Sequence, residues 1–290
     1  QSNSLTAFNT DGFSLGDGTS VNGNSDTYVA WQWAANGGTT SSNTDGSITT
    51  TVQANTTAGF SIVLYTSASG GQTIGHGLGV KPDMYIIKER TTSGDDWFVY
   101  HSALGEGKKL RLSGNSAAES DTNIWQNTAP TTTVAYLQND GGGVNQNTGG
   151  NQNYVGYFFN SVKGYSKFGS YTANGNVDGP FVYTGFKPAW VMFKQTNDSD
   201  TAHWFMYDST RSPTNVIGDD GFAANLNNEE GLGSTWNPNT SDSVVDFVSN
   251  GFKIRTTATS GFNINGNTMI YMAFAEHPFV SSKGVPVTAR

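Results

Sequence analysis

The sequence predicts an all-β protein built as two tandem repeated modules, each a β-sandwich or jelly-roll-like barrel, and three observations predict it. First, a string recurs. Tyr65-Thr66, Lys81-Pro82, Lys88, Trp97 and Tyr100 return in the same order as Tyr171-Thr172, Lys187-Pro188, Lys194, Trp204 and Tyr207. The offset is 106 at the tyrosines (171 − 65) and 107 at the tryptophans (204 − 97). Duplication of a whole supersecondary unit is how chains build arrays. Second, an Asx-Gly turn leading to a Tyr-headed apolar strand occurs three times. It reads Asp11-Gly12 to Tyr28-Val29-Ala30-Trp31, Asp140-Gly141 to Tyr154-Val155-Gly156-Tyr157, and Asn250-Gly251 to Tyr271-Met272-Ala273-Phe274. Third, only 13% of residues are charged, while the chain carries 12 Tyr, 17 Phe and 7 Trp among abundant Thr, Ser, Asn and Gly. Soluble proteins usually hold about 25% charged residues. The mixture suits aromatic-faced strands separated by tight turns.

Taken in order, residues 1–57 read as a closing hairpin without an opening half, followed by a Gly/Thr/Ser-rich lead-in or exposed β-excursion from Gly37 to Thr57. Residues 58–163 form the first module. Its strands are Phe60–Tyr65, the dense run Met84–Lys88 after Pro82, and Trp97–Tyr100. Residues 164–290 form the second, entered through a seam at Gly164-Tyr165-Ser166-Lys167, with strands Phe181–Tyr183, Trp190–Lys194 and Trp204–Tyr207. Runs this short, with turn chemistry between them, are sandwich or barrel strands. No 11-residue apolar stripe at helical spacing appears, so helical turns at Ser102–Leu104 and Gly221–Leu226 would be decoration.

The formal net charge of −8 is spread thinly, and the densest basic cluster is Lys108-Lys109-x-Arg111. Such a surface repels phosphate backbones, so no nucleic-acid partner is expected. No apolar run approaches the 18 residues of a membrane helix, so no membrane insertion is expected. The start at Gln1 points to processing or a trimmed boundary. Cysteine is absent, which excludes disulfides and thiolate metal sites. Folding in a reducing cytoplasm followed by work outside a cell fits that combination.

Catalysis finds little footing. The adjacent carboxylates are Asp95-Asp96, Asp219-Asp220 and Glu229-Glu230, and neighbours along a strand point to opposite faces. Solvated turn carboxylates account for them. His76, His101, His203 and His277 are scattered singly, with no metal-binding spacing. Gly12-Phe13-Ser14-Leu15-Gly16 matches a nucleophile-elbow string but lies in a hairpin element rather than between strand and helix. No catalytic residue is assigned, and the chain is read as no enzyme. Asn174, Asn176 and Asp178 carry oxygens at calcium-loop spacing, which makes them the candidate metal ligands, while Asx-turns would use the same atoms without an ion. No other cofactor is expected. The repeated Trp97 and Trp204 read as core. Trp125 and Trp236 do not repeat and sit in Asn/Thr/Asp-rich loops, so they are the candidate carbohydrate-binding rings, apolar faces stacking on sugar C–H groups.

The strings Ser47 to Val63, Gly75-His76-Gly77-Leu78-Gly79-Val80-Lys81-Pro82, Gly164 to Tyr171, Asp178 to Pro188 and Tyr271 to Phe279 resemble a family of uncharacterised repeat proteins of bacteriophages, many of them marine. That family is encoded among tail and virion-surface genes, and the likeness runs from about Phe8 to Phe279. The resemblance implies a location on the virion surface, outside the cell. It implies a structural role in a tail fibre or tail tip, with other virion proteins as partners and self-assembly into a homo-oligomer by analogy with fibres; the loops bearing Trp125 and Trp236 add a host-surface glycan as ligand. It carries no catalytic residues. An architectural capsid decoration or fibre subunit is the first alternative, and a polysaccharide depolymerase the second.

Overall fold

A computed structural model describes residues 4–92, 94–139, 143–147, 150–197, 202–211, 221–228, 230–231, 244–257 and 261–277. The protein is all-β. A hairpin of β1 (Leu5–Phe8) and β2 (Phe13–Leu15) comes first, then a four-residue helix, α1 (Thr19–Asn22). The strands that follow are β3 (Ser41–Asn43), β4 (Thr50–Asn55), β5 (Phe60–Thr66), β6 (Gln72–Gly75), β7 (Met84–Glu89), β8 (Trp97–His101), β9 (Lys108–Arg111), β10 (Glu119–Ser120), β11 (Val134–Leu137) and β12 (Asn153–Phe159). After the turn at 160–165 come β13 (Ser166–Thr172), β14 (Phe181–Tyr183), β15 (Pro188–Gln195), β16 (Phe205–Asp208), β17 (Phe222–Ala223), β18 (Val245–Val248), β19 (Gly251–Ile254) and β20 (Thr268–Ala275).

Two large antiparallel sheets carry the repeated strings. The first runs β10-β9-β8-β7-β12-β5-β4-β3 and the second β13-β20-β15-β16-β17. In both, the Tyr-Thr strand lies beside the late closing strand, which lies beside the Lys-Pro strand and then the Trp strand. Pairing fixes the register between them. Tyr65 faces Tyr154, which faces Glu89, and Tyr171 faces Met269, which faces Gln195. Tyr271 therefore occupies the place of Gly156 (271 − 156 = 269 − 154 = 115), not that of Tyr154. The Tyr-led alignment of the closing strands is thus two residues out. The exchange has a steric logic. Tyr271 lies opposite Gly169, where a Cβ would come within 2.7 Å of its hydroxyl, whereas Gly156 lies opposite Val63.

The strands alternate, and the central strands of each large sheet are covered on both faces. Phe60, Met84, Ile86, Val99 and Phe159 of the first sheet form one core with Phe168, Trp190, Met192, Trp204, Ile270, Met272 and Phe274 of the second. The opposite face of the first sheet packs with Ile74, Ala135 and Leu137 of the β6–β11 pair. That of the second packs with Val182, Phe247, Phe252 and Ile254 of a three-stranded sheet, β14-β19-β18. The result is four layers of strands with a shared middle core. Each half is thus a sandwich of a large and a small sheet, and the middle core is added between them because the dense runs at 84–88 and 190–194 are apolar on both sides and each face needs its own cover. Trp31 and Trp33, from the extended stretch after α1, close one end of the middle core against Trp190 at ring distances of 6.2 and 5.4 Å.

Residues 41–55 are the edge strands β3 and β4 of the first sheet, the β-excursion of the two readings, and 57 falls in the turn leading to β5. One smaller expectation changes. Phe222–Ala223 is the edge strand β17, not a helical turn, because its backbone pairs with Phe205 and Met206.

Candidate functional site

Of the repeated aromatics Tyr65, Tyr100, Trp204 and Tyr207 are buried, whereas Trp97, expected in the core, is half-buried beside Tyr157. Trp204 is 1% exposed and its Nε1–H donates to the Arg111 carbonyl at 2.8 Å, binding the second sheet to the first. Tyr100 and Tyr207 are buried on the opposite faces of their sheets. The recurring lysines serve the backbone: Lys88 Nζ donates to the Asp95 carbonyl at 2.9 Å, and buried Lys194 donates to the carbonyls of Ser116 and Gln195 at 2.9 and 2.8 Å.

Trp125 corrects the expectation placed on it. Its ring is 0% exposed, edge-on to Tyr85 at 5.0 Å and Tyr100 at 6.0 Å, and its Nε1–H donates to the Lys108 carbonyl at 2.9 Å. The polar residues around it cover a core plug, and no face is left for a sugar. Trp236 lies outside the described residues.

The surface does present aromatics, on the outermost sheet. Phe181 and Tyr183 point outward from β14 at 50% and 63% exposure, while Val182 between them turns into the core. This is the two-residue alternation of a strand with one wet face. Across the sheet, Phe181 aligns with Lys253 and Asp246, and Tyr183 with Gly251 and Val248. Gly251 has no side chain, and the Phe181 ring leans over that position. Two ion pairs flank the rings, Lys253–Asp178 at 2.7 Å and Arg255–Asp246 at 2.9 Å. The hydrogen bond from Lys253 holds the Asp178 carboxyl below its usual range. Exposed Val177 adjoins them.

The loop feeding β14 contains the three candidate calcium ligands. Asn174 Oδ1 accepts from the Asn176 N–H at 3.0 Å and Asn176 Oδ1 from the Asp178 N–H at 2.9 Å. Asn174 Nδ2 donates to the Asp178 carbonyl at 3.0 Å. Buried Asn263 braces the loop from beneath, donating to Asn174 Oδ1 at 3.2 Å and the Asn176 carbonyl at 2.9 Å. Each candidate residue thus has a side-chain oxygen engaged within the chain, in successive Asx-turns and one ion pair. Among the described residues no group of three His, Cys, Asp or Glu side chains gathers as a metal site would.

The acidic and basic groups elsewhere are tied into turns. Asp95 and Glu89 share the Thr92 hydroxyl at 3.0 and 2.8 Å; burial raises the Glu89 pKa, and the hydrogen bond with Glu89 lowers that of Asp95. Asp96 instead takes Arg111 at 3.0 Å and the Ser113 hydroxyl at 2.6 Å. Asp219, Asp220 and Glu229 lie outside the described residues, and Glu230 pairs with Arg211 at 2.6 Å. Ser14 sits within β2, with its Oγ accepting from Asn9. His76 and His101 are buried, and burial lowers each to a pKa of about 4. A groove of about 590 Å³ opens between Trp97, Leu112 and Ser113 on one side and Ala224 to Asn227 on the other, and none of these lining residues is ionisable.

The outward pair was legible by the criterion that selected Trp125 and Trp236. Counted back from the Lys-Pro pair, Phe181 stands six residues before Lys187 and Tyr183 four before it, where the first copy has Gly75 and Gly77 before Lys81. These rings do not repeat, and the strand pattern gave their direction.

A family model described as a domain of unknown function, DUF7483, matches residues 1–278. No curated protein and no solved structure matches the chain.

Proposed function

We propose that this chain, which belongs to the DUF7483 family, is a structural protein of a bacteriophage exterior, a tail-fibre or tail-tip component that contacts host-surface polysaccharide through the Phe181–Tyr183 face. One observation carries the reading. The repeated Tyr65, Tyr100, Trp204 and Tyr207 are spent inside the four-layer stack, whereas the unrepeated pair on β14 stands outside it on a braced sheet. Flat apolar rings bordered by amides, carboxylates and cations are the chemistry that recognises a sugar, whose C–H faces stack while its hydroxyls take hydrogen bonds. The resemblance to virion-surface repeat proteins and the cysteine-free sequence support the location. Two-sided burial of the central strands supports a load-bearing scaffold.

Two measurements test the two halves of this reading separately. Antibody labelling and mass spectrometry of purified particles should find the chain on the virion, and its absence there removes the assignment. Host-envelope polysaccharide should bind the isolated protein weakly. Tyr183→Ala should weaken that binding about 3- to 10-fold, the value of one aromatic contact, with no change in melting temperature. A blank glycan array with folded protein removes the adhesive role and leaves the architectural one.

A further inference from the structure

The hairpin β1–β2 reproduces another part of the same chain. Shifted by 239 residues, Phe8, Asp11, Gly12, Phe13 and Leu15 fall on Phe247, Asn250, Gly251, Phe252 and Ile254 (247 − 8 = 252 − 13 = 239). The pairing agrees as well: Phe8 faces Phe13 and Ala7 faces Ser14, as Phe247 faces Phe252 and Asp246 faces Lys253. A bulge at Thr6 brings Leu5 opposite Leu15, where Val245 faces Ile254. The surroundings are opposite. Val245, Phe247, Phe252 and Ile254 are at most 4% exposed, while Phe8 is 82%, Leu5 45% and Leu15 39% exposed. A lone two-stranded hairpin with a bare apolar face is marginal in water.

The buried copy shows what covers such a face. Phe252 packs edge-on against Tyr171, Phe193 and Tyr271 of the second large sheet, and β14 pairs along the edge of β19. Gly251 is needed for that pairing, since a Cβ there would lie 2.0 Å from the Val182 carbonyl oxygen. Gly12 keeps the same residue with nothing within 4 Å of its Cβ position. Neither a positive φ nor a described neighbour calls for glycine there.

We infer that β1–β2 is a closing hairpin that completes an open half-module lying outside these 290 residues. The partner is an open half-module of this same kind: a Tyr-Thr strand, a Lys-Pro strand and a strand like β14, with aromatics placed as Tyr171, Phe193 and Tyr271 are, and no closing hairpin of its own. A second intact copy of this chain is not that partner, because its own β18–β19 already fills the place in the second module, and the first is sealed by Trp125 and the β6–β11 pair. The inference is independent of the glycan face, which uses other residues.

The test mixes the full chain with a receptor copy that lacks residues 244–254 and carries Phe8→Asp to silence its own hairpin. Light scattering should show a one-to-one complex, and Phe8→Asp in the donor should weaken it at least 100-fold. Hydrogen exchange of residues 5–15 should slow on mixing. A folded receptor that captures nothing, or captures the Phe8→Asp donor equally well, overturns the proposal. So does a full chain that dimerises alone through Phe8. If the receptor does not fold, a chimera decides, with Thr6–Leu15 replacing the ten residues Val245–Ile254. Cooperative unfolding of the chimera, lost when Phe13→Asp is made within the transplanted segment, supports a module-closing hairpin, and a chimera that stays unfolded overturns it.

Discussion

Trp125 shows how far local composition can mislead about a single side chain. Its neighbours Ser120, Asp121, Thr122 and Asn123 describe a loop, yet the ring drops from that loop into a gap lined by Tyr85 and Tyr100. Its role is structural, so Trp125→Ala should cost about 3–5 kcal/mol, read as a lower urea midpoint with an unchanged slope. Slow unfolding with unaltered midpoint would mean the ring is not packed as described. The buried histidines belong to the same scale. His76 stacks on Phe158 with Nδ1 accepting from the Leu78 N–H, and His101 Nδ1 accepts from the Ala103 N–H. Both rings titrate near 4 when folded because burial disfavours the cation, and near 6.5 when unfolded. The unfolded chain therefore binds these protons more tightly. Their contribution is intact above about pH 6.5 and is lost as pH falls to 4, on the order of 3 kcal/mol for each ring. Denaturant titrations at pH 7, 5.5 and 4 should show that decline, and His101→Asn should flatten it. A stability independent of pH across this window would contradict neutral burial.

At the scale of the element, the loop from Asn174 to Asp178 and the strand it feeds act together. The Asx-turns fix where β14 begins, Asn263 fixes their height, and the strand then aims Phe181 and Tyr183 outward. With Asn174 Oδ1, Asn176 Oδ1 and Asp178 Oδ1 already engaged, adding calcium or EDTA should leave the melting temperature unchanged within about 1 °C. A rise with calcium would return Asn174, Asn176 and Asp178 to the role of ligands. Asn263→Ala should loosen the loop and weaken polysaccharide binding with Tyr183 intact. Most elements were legible in the sequence, because apolar alternation and turn residues are local signals: the strands around Phe60, Met84, Trp97 and Trp190 appear where the pattern placed them. What the pattern could not supply was pairing. Tyr154 and Tyr271 look equivalent as letters, and only the ladder reveals the two-residue slip that sets Tyr271 against Gly169. The edge strands β3 and β4 were half legible for a related reason, since Thr, Ser and Asn at a wet sheet edge read as a linker and as a β-excursion alike.

For the whole molecule, the decisive feature is the core shared by the two large sheets. A chain of two independent sandwiches would melt in two steps. Here separating the halves would strip cover from Phe60, Ile86, Phe159, Trp190, Met272 and Phe274 together, and the Trp204–Arg111 bond would break with them. Calorimetry should therefore show one cooperative transition, with calorimetric and van't Hoff enthalpies equal. Two resolved peaks would mean the sheets hold no common core. The repeat was legible in the sequence, but the contact between its copies was not, because an apolar face says that it must be covered and not by what.

That mutual cover has a cost during synthesis. Phe159 leaves the ribosome 115 residues before Phe274 (274 − 159), an interval of roughly 6 to 23 s at ordinary elongation rates. Through that interval the first half displays a greasy, strand-edged slab to everything nearby, including nascent neighbours on the same messenger. Yield in a cell should then depend on how promptly the second half arrives, and slowing translation past the Gly164 turn should send more of the product into inclusion bodies.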